Sequence, residues 1–180
     1  LFLPNGVHPI GSGVVGGNNT QAEEIVISGV EGRVAFSVGQ FHYETDGFRP
    51  NNDQRQDIYN VFLQGGNHRT SVQAEYRYRR DKRGDLVTNI DNTFDDTLSE
   101  KDDVKTFRAG LRHSISPNST LLGSIIYQDS DFTKTYTKAS IIDVSEKLHN
   151  KGYMAETLNT YQKGNIKVST GIFYYNIQKN

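Results

Sequence analysis

Residues Thr70 to Arg80, TSVQAEYRYRR, place Val72, Ala74, Tyr76 and Tyr78 at every second position, with Ser71, Gln73, Glu75, Arg77 and Arg79 between them. A period of two describes a strand with one apolar and one charged face. The apolar face has to be taken out of water, either by a protein interior or by lipid. Similar segments recur at about 24–30, 33–44, 57–65, 104–116, 120–130, 152–162 and 166–177, while stripes at helical spacing are hard to find. Ten Tyr, nine Phe and 17 Gly in a chain of mean hydropathy −0.64 fit strands and turns. The expected fold is all-β: an antiparallel up-and-down meander of about eight strands, forming a transmembrane β-barrel or a contiguous part of a larger one. Residues 1–180 are read as a single barrel region, with 1–21 an irregular segment and no plug domain.

Several classes fall away on composition. The net charge of −1 offers no basic stripe, so no nucleic-acid partner is expected. With no cysteine there is neither a disulfide framework nor a thiolate site. The longest apolar runs, such as IVI, VFL and LLGSII, fall far short of the ~20 residues of a helical span. The opening LFLPNGVHPIGSG has no initiator Met and no basic-then-apolar leader, which suggests a piece of a longer chain.

Connections between the candidate strands alternate in length. EG, GNHR, PNS and KGN are tight, whereas TDGFRPNNDQRQ, DKRGDLVTNIDNTFDDTLSEKDD and the stretch from Asp131 to Lys151 are long. Short turns at one end and long polar loops at the other are the habit of outer-membrane barrels. A soluble sandwich mixes loop lengths at both ends.

Aromatic residues cluster near the long-loop ends. Tyr43, Tyr59, Tyr76, Tyr78, Tyr127, Tyr153 and Tyr174, with Phe41 and Phe107, are expected to form a girdle at a membrane interface. Tyr161 is the main candidate for the opposite girdle. By alternation Gln73, Glu75, Arg77, Arg79, Arg108, Arg112, Glu156 and Lys167 would line a wet lumen. Val72, Ala74, Phe107, Leu111, Ile166, Val168 and Ile172 would face lipid. In RVAFSVGQFHYE the apolar set shifts from Val34, Phe36 and Val38 to Phe41 and Tyr43, which marks either a bulge near Gly39 or a second, inward apolar layer.

GQFHYETDGFRPNNDQRQDIYNVFLQ, TSVQAEYRYR and SIIYQDSDF together resemble part of a TonB-dependent-receptor-like outer-membrane barrel, of the type found in bacterial proteins that carry tetratricopeptide repeats ahead of the barrel. The resemblance spans most of Glu24 to Ile177. It implies a many-stranded barrel in a Gram-negative outer membrane, of which this chain is a part. The implied partners are outer-membrane lipid, lipopolysaccharide, the rest of a larger barrel and a solute. No TonB-box-like segment and no terminal aromatic residue accompany it.

Chemistry leaves little trace. The acidic stretch with Asp91, Asp95, Asp96, Glu100, Asp102 and Asp103 lacks the EF-hand register, and a solvated loop is the plain reading. The five histidines show no ligand spacing, so no metal and no cofactor is expected. No G-x-S-x-G motif occurs. The expected function is a non-catalytic pore or recognition scaffold in the outer membrane. Two alternatives stay open: a soluble lipocalin-like barrel or sandwich, and an outer-membrane hydrolase with Ser or Asp beside His42 or His113.

Overall fold

A computed structural model describes residues 5–86, 95–138 and 141–179. They form one antiparallel sheet of nine strands in sequence order: β1 (Gly6–Val15), β2 (Gln21–Glu31), β3 (Val34–Thr45), β4 (Gln54–Gly66), β5 (Thr70–Arg83), β6 (Ser99–Ser116), β7 (Ser119–Lys138), β8 (Ile142–Lys163) and β9 (Ile166–Lys179). The all-β meander is as expected. The described residues contain no helix, so none is long and apolar enough to cross a membrane, which says nothing of strands.

Two expectations change in detail. Residues 1–21 are not wholly irregular, because β1 lies within them and pairs with β2 from Gly6↔Val30 to Val15↔Gln21. Pro9, Gly11 and Gly13 hide it from a propensity reading. At a sheet edge a proline is tolerated, since one row of N–H groups has no ladder partner to lose. The stretch from Asp131 to Lys151 is not a long loop either. Both β7 and β8 run on through it, pairing as far as Lys138↔Ile142.

The tight turns stand where expected, at residues 32–33, 67–69, 117–118 and 164–165, with Gly32 and Gly164 at positive φ of 58° and 60°. β3 keeps an unbroken register with both neighbours from Val34 to Thr45, so there is no bulge at Gly39. The irregularity lies in β6, between Ser114 and Ser116.

Residues opposite each other in an antiparallel ladder share a face. One face therefore carries Ile25, Ile27, Val34, Phe36, Val38, Val61, Leu63, Val72, Phe107, Leu111, Ile125, Val168 and Ile172. All of these are exposed, and no apolar side chain among the described residues is buried. Accessible area totals 12694 Å², against roughly 8,800 Å² for a compact monomer of this mass. The sheet has no interior of its own.

Phe36 illustrates how this face is held. Its ring lies over Gly29 on β2, so close that a Cβ there would sit 2.6 Å from the ring. The aromatic side chain covers the glycine's bare backbone and pins the β2–β3 register.

Candidate functional site

Starting from the ladder, the apolar face resolves into rows. Val38, Val61, Tyr76, Phe107, Tyr127 and Tyr153 lie opposite one another across β3 to β8. The next row on that face, toward the long-loop end, is Gln40, Tyr59, Tyr78, Lys105, Asp129 and Lys151. The row beyond it is His42, Asp57, Arg80, Asp103, Asp131 and His149. Polarity rises from hydrocarbon to tyrosine to full charge over about 14 Å of strand, at ~3.3–3.4 Å per residue.

Several rings in the tyrosine zone pack in pairs, with Tyr59 stacked on Tyr78 at 6.3 Å between centroids and Tyr127 against Tyr153 at 4.9 Å. The charged row is tied across strands. His42 Nδ1 lies 2.7 Å from Asp57, Arg80 Nε donates to Asp103 at 2.8 Å, and His149 Nδ1 lies 2.7 Å from Asp131. The Tyr78 hydroxyl also donates to Asp103, at 2.7 Å, joining the ring zone to the row above.

Of the expected girdle, Tyr59, Tyr76, Tyr78, Tyr127, Tyr153 and Tyr174 share this apolar face. Tyr43 does not. It lies opposite Gln56 and Ala22, with Phe41 opposite Ile58, on the other face. Of the two readings of the β3 shift, the second apolar layer is therefore the one seen. Tyr174 lies opposite Ala155, closer to the tight-turn end than the others.

The band of apolar residues drifts across the sheet. On β2 it reaches up to Ile25, level with Gln40 and Tyr59, whereas on β9 it runs down through Val168 to Ile166, below the row of Val34, Gly65, Val72 and Leu111. The strands are thus inclined to the band.

The opposite face is mixed and hollow, with Phe41, Ile58, Phe62, Ile126 and Phe173 set among its charged residues. Gln73, Glu75, Arg77, Arg79, Arg108, Arg112, Glu156 and Lys167 all fall on it by register. An open depression of about 620 Å³ is lined mainly by residues of this face, among them Gln64, Gln73, Arg112, Ser124, Glu156 and Phe173. Two smaller ones sit over Arg77 and Arg108. Gln73 lays its side chain across Gly110. Some of the charges neutralise one another: Arg108 lies 3.6 Å from Glu75, Arg79 pairs with Asp102, and Arg83 donates to Glu100 at 2.9 Å. No ion pair among the described residues reaches Arg77 or Arg112.

The acidic stretch does not converge on one point. Asp91 lies outside the described residues. Asp95 accepts from Thr97, while Glu100, Asp102 and Asp103 are committed to Arg83, Arg79 and Arg80. Of the partners the hydrolase alternative calls for, an Asp is present, since His42 meets Asp57 at 2.7 Å, while His113 meets the Thr70 hydroxyl at 2.9 Å. Among the described residues no Ser hydroxyl is hydrogen-bonded to either ring.

What the alternation reading missed is a convergence at the far end of the β7–β8 hairpin. Asp129, Asp131 and His149 bring one ligand atom each to within 4.8 Å of one another. The hairpin's mirror register, with Asp131 opposite His149, was the available signal.

No protein-family model, no curated protein and no solved structure matches the chain.

Proposed function

We propose that the sheet is a wall of a transmembrane β-barrel in a bacterial outer membrane, with lipid on its apolar face and water on its hollow, charge-bearing face, acting as a non-catalytic pore or recognition scaffold. The observation that carries this reading is that, among the described residues, no apolar side chain is buried while one face of the sheet is continuously apolar and exposed. A soluble protein would have to cover that face with a second layer. A bilayer covers it as it stands, and the succession of apolar, tyrosine and charged rows matches the passage from hydrocarbon to headgroups. The drift of the band agrees, because closing a sheet into a cylinder tilts its strands by ~35–45° to the axis.

β1 and β9 are the edges of the described sheet. In a meander of nine strands they run in the same direction, so a fully antiparallel cylinder takes an odd number of further strands between them. Hydrocarbon requires every backbone group to be paired, and the rest of a larger barrel of the TonB-dependent-receptor-like kind would supply those strands. Through such a lumen Arg77 and Arg112 would bias passage toward anionic or polar solutes, as charged rings do in channels.

Orientation gives the test. The chain has no cysteine, so Asp96→Cys between β5 and β6 and His68→Cys in the β4–β5 turn each provide a unique label site in the intact protein. A membrane-impermeant maleimide applied to whole cells is expected to modify Asp96→Cys and to reach His68→Cys only after the envelope is opened. Equal modification of the two, or of neither, would remove the spanning arrangement and leave a soluble barrel as the working description.

A further inference from the structure

We infer that Asp129, Asp131 and His149 form a binding site for a divalent transition-metal ion, of which Zn2+ is the representative probe. The three side chains come from β7 and β8 on the face that carries the tyrosines, with Asp131 and His149 in the charged row and Asp129 one row below. Imidazole nitrogen with carboxylate oxygen is a donor set that suits Zn2+ and its neighbours rather than Mg2+ or Ca2+.

The argument turns on one nitrogen. Both carboxylates approach His149 Nδ1, Asp131 Oδ1 at 2.7 Å and Asp129 Oδ1 at 3.6 Å. A ring N–H can serve only one of them well, and here it serves Asp131. Asp129 Oδ1 is left shut off from solvent with no hydrogen-bond partner, while Tyr127 donates at 3.3 Å to the other oxygen. A buried anionic oxygen without a donor is costly. A cation in place of the imidazole proton would satisfy both carboxylates at once. The two separations bracket roughly 3.3 Å, the edge of a tetrahedron with bonds of ~2.0–2.1 Å.

The other histidine of the same row provides the contrast. At His42 the two carboxylates go to different ring nitrogens, Asp57 to Nδ1 and Glu44 to Nε2 at 3.4 Å. Two protons can satisfy that arrangement without a metal. Among the described residues, only at His149 do two carboxylates compete for one ring nitrogen. Three protein ligands leave a fourth place open, and His149 is a third exposed there, so a water or an outside oxygen can complete the shell. Lys105 and Lys151 stand opposite Asp129 across β6 and β8. Their charge opposes a cation, which makes the site a modest binder rather than a permanent structural one.

The site does not depend on the membrane reading, and its test is separate. The intact protein in detergent, stripped with a chelator, is titrated calorimetrically with Zn2+ alone and then with Mg2+ and with Ca2+. Stoichiometric Zn2+ binding is expected, weakened roughly tenfold or more by Asp129→Asn or His149→Gln, and left unchanged by His68→Gln at an exposed turn. Co2+ should give a tetrahedral visible spectrum with the unaltered protein that His149→Gln lacks. Absence of Zn2+ binding, equal binding by the Asp129→Asn and His149→Gln variants, or preference for Mg2+ or Ca2+ would each overturn the proposal. Should those variants fail to fold, the Co2+ spectrum of the unaltered protein decides: octahedral bands alone count against the site.

Discussion

Ala74→Arg is expected to destabilise the protein in lipid by about 2–4 kcal/mol, whereas Gln73→Arg, one residue away, should change stability by less than about 1 kcal/mol. Ala74 stands between Leu63 and Ala109 on the apolar face, level with Phe36 and Ile125. Under the proposed arrangement an arginine there reaches only hydrocarbon, and the charged row is too far along the strand to receive it. Gln73 lies between Gln64 and Gly110 on the hollow face, where a guanidinium meets water and polar groups. The comparison is made by urea titration of folding into lipid vesicles, followed by gel mobility of the folded form. Its strength is that the two sites share a strand, a depth and a sequence neighbourhood and differ only in face. Equal costs at both would mean that lipid does not cover the face bearing Ala74. Small equal costs would put both faces in water, and large equal costs would put both in a protein interior.

The same two faces explain how much of the fold was legible. From β2 to β6 the apolar face has to be covered, so alternation is enforced at Val34, Phe36 and Val38, at Val61 and Leu63, and from Val72 to Tyr78, and the strands can be read directly. Beyond the charged row nothing has to be covered. The upper parts of β7 and β8 are mostly polar, with Ser130, Thr133, Lys134 and Glu146 in ladder positions and the pairs Phe132↔Leu148 and Tyr136↔Val144 breaking the run. A strand wet on both sides carries no period-two signal and reads as a loop. That is why the hairpin was missed, and with it the approach of His149 to Asp129 and Asp131. β1 was hidden for a different reason, since Pro9 and its glycines lower the propensity that the ladder with β2 overrides. The face assignments of the lumen and apolar candidates follow from parity alone, which counting supplies. Tyr43 shows the limit of counting: its place along the strand suited the girdle, but parity put its ring on the other face.

Gly84→Ala is expected to undo the knot of two loops at the long-loop end and to leave the sheet intact. The most buried side chains described, Asn52 at 6% and Asp85 at 5% exposure, lie in this knot rather than in any apolar core. Residues 46–53 are sewn there to 84–86 and 95–98. Asn51, at φ 52°, donates to the carbonyls of Asp95 and Leu98 at 2.7 and 2.8 Å, and its own carbonyl accepts from Asp85 N at 2.7 Å. Asn52 donates to the Asp85 carbonyl at 2.9 Å, and Asp85 Oδ2 accepts from Asp95 N at 2.9 Å. Hydrogen bonds from Thr97 hold the Asp95 carboxyl below its usual range. That contribution is therefore complete above the unfolded carboxyl's pKa and is lost as pH falls through the lower folded value. A Cβ on Gly84 would lie 2.3 Å from the Asn51 carbonyl oxygen. The obstacle is backbone, so no side chain can swing aside. Relief requires parting the loops, which strands buried polar groups at a local cost on the order of 3 kcal/mol. Limited proteolysis of the intact protein reads this: cleavage within residues 46–53 or 95–98 should quicken more than tenfold in Gly84→Ala, with the unfolding temperature of the strands little changed. Gly152→Ala is the control, because a Cβ there meets nothing within 4 Å. Unchanged cleavage in Gly84→Ala would show that the loops are held by something other than this knot.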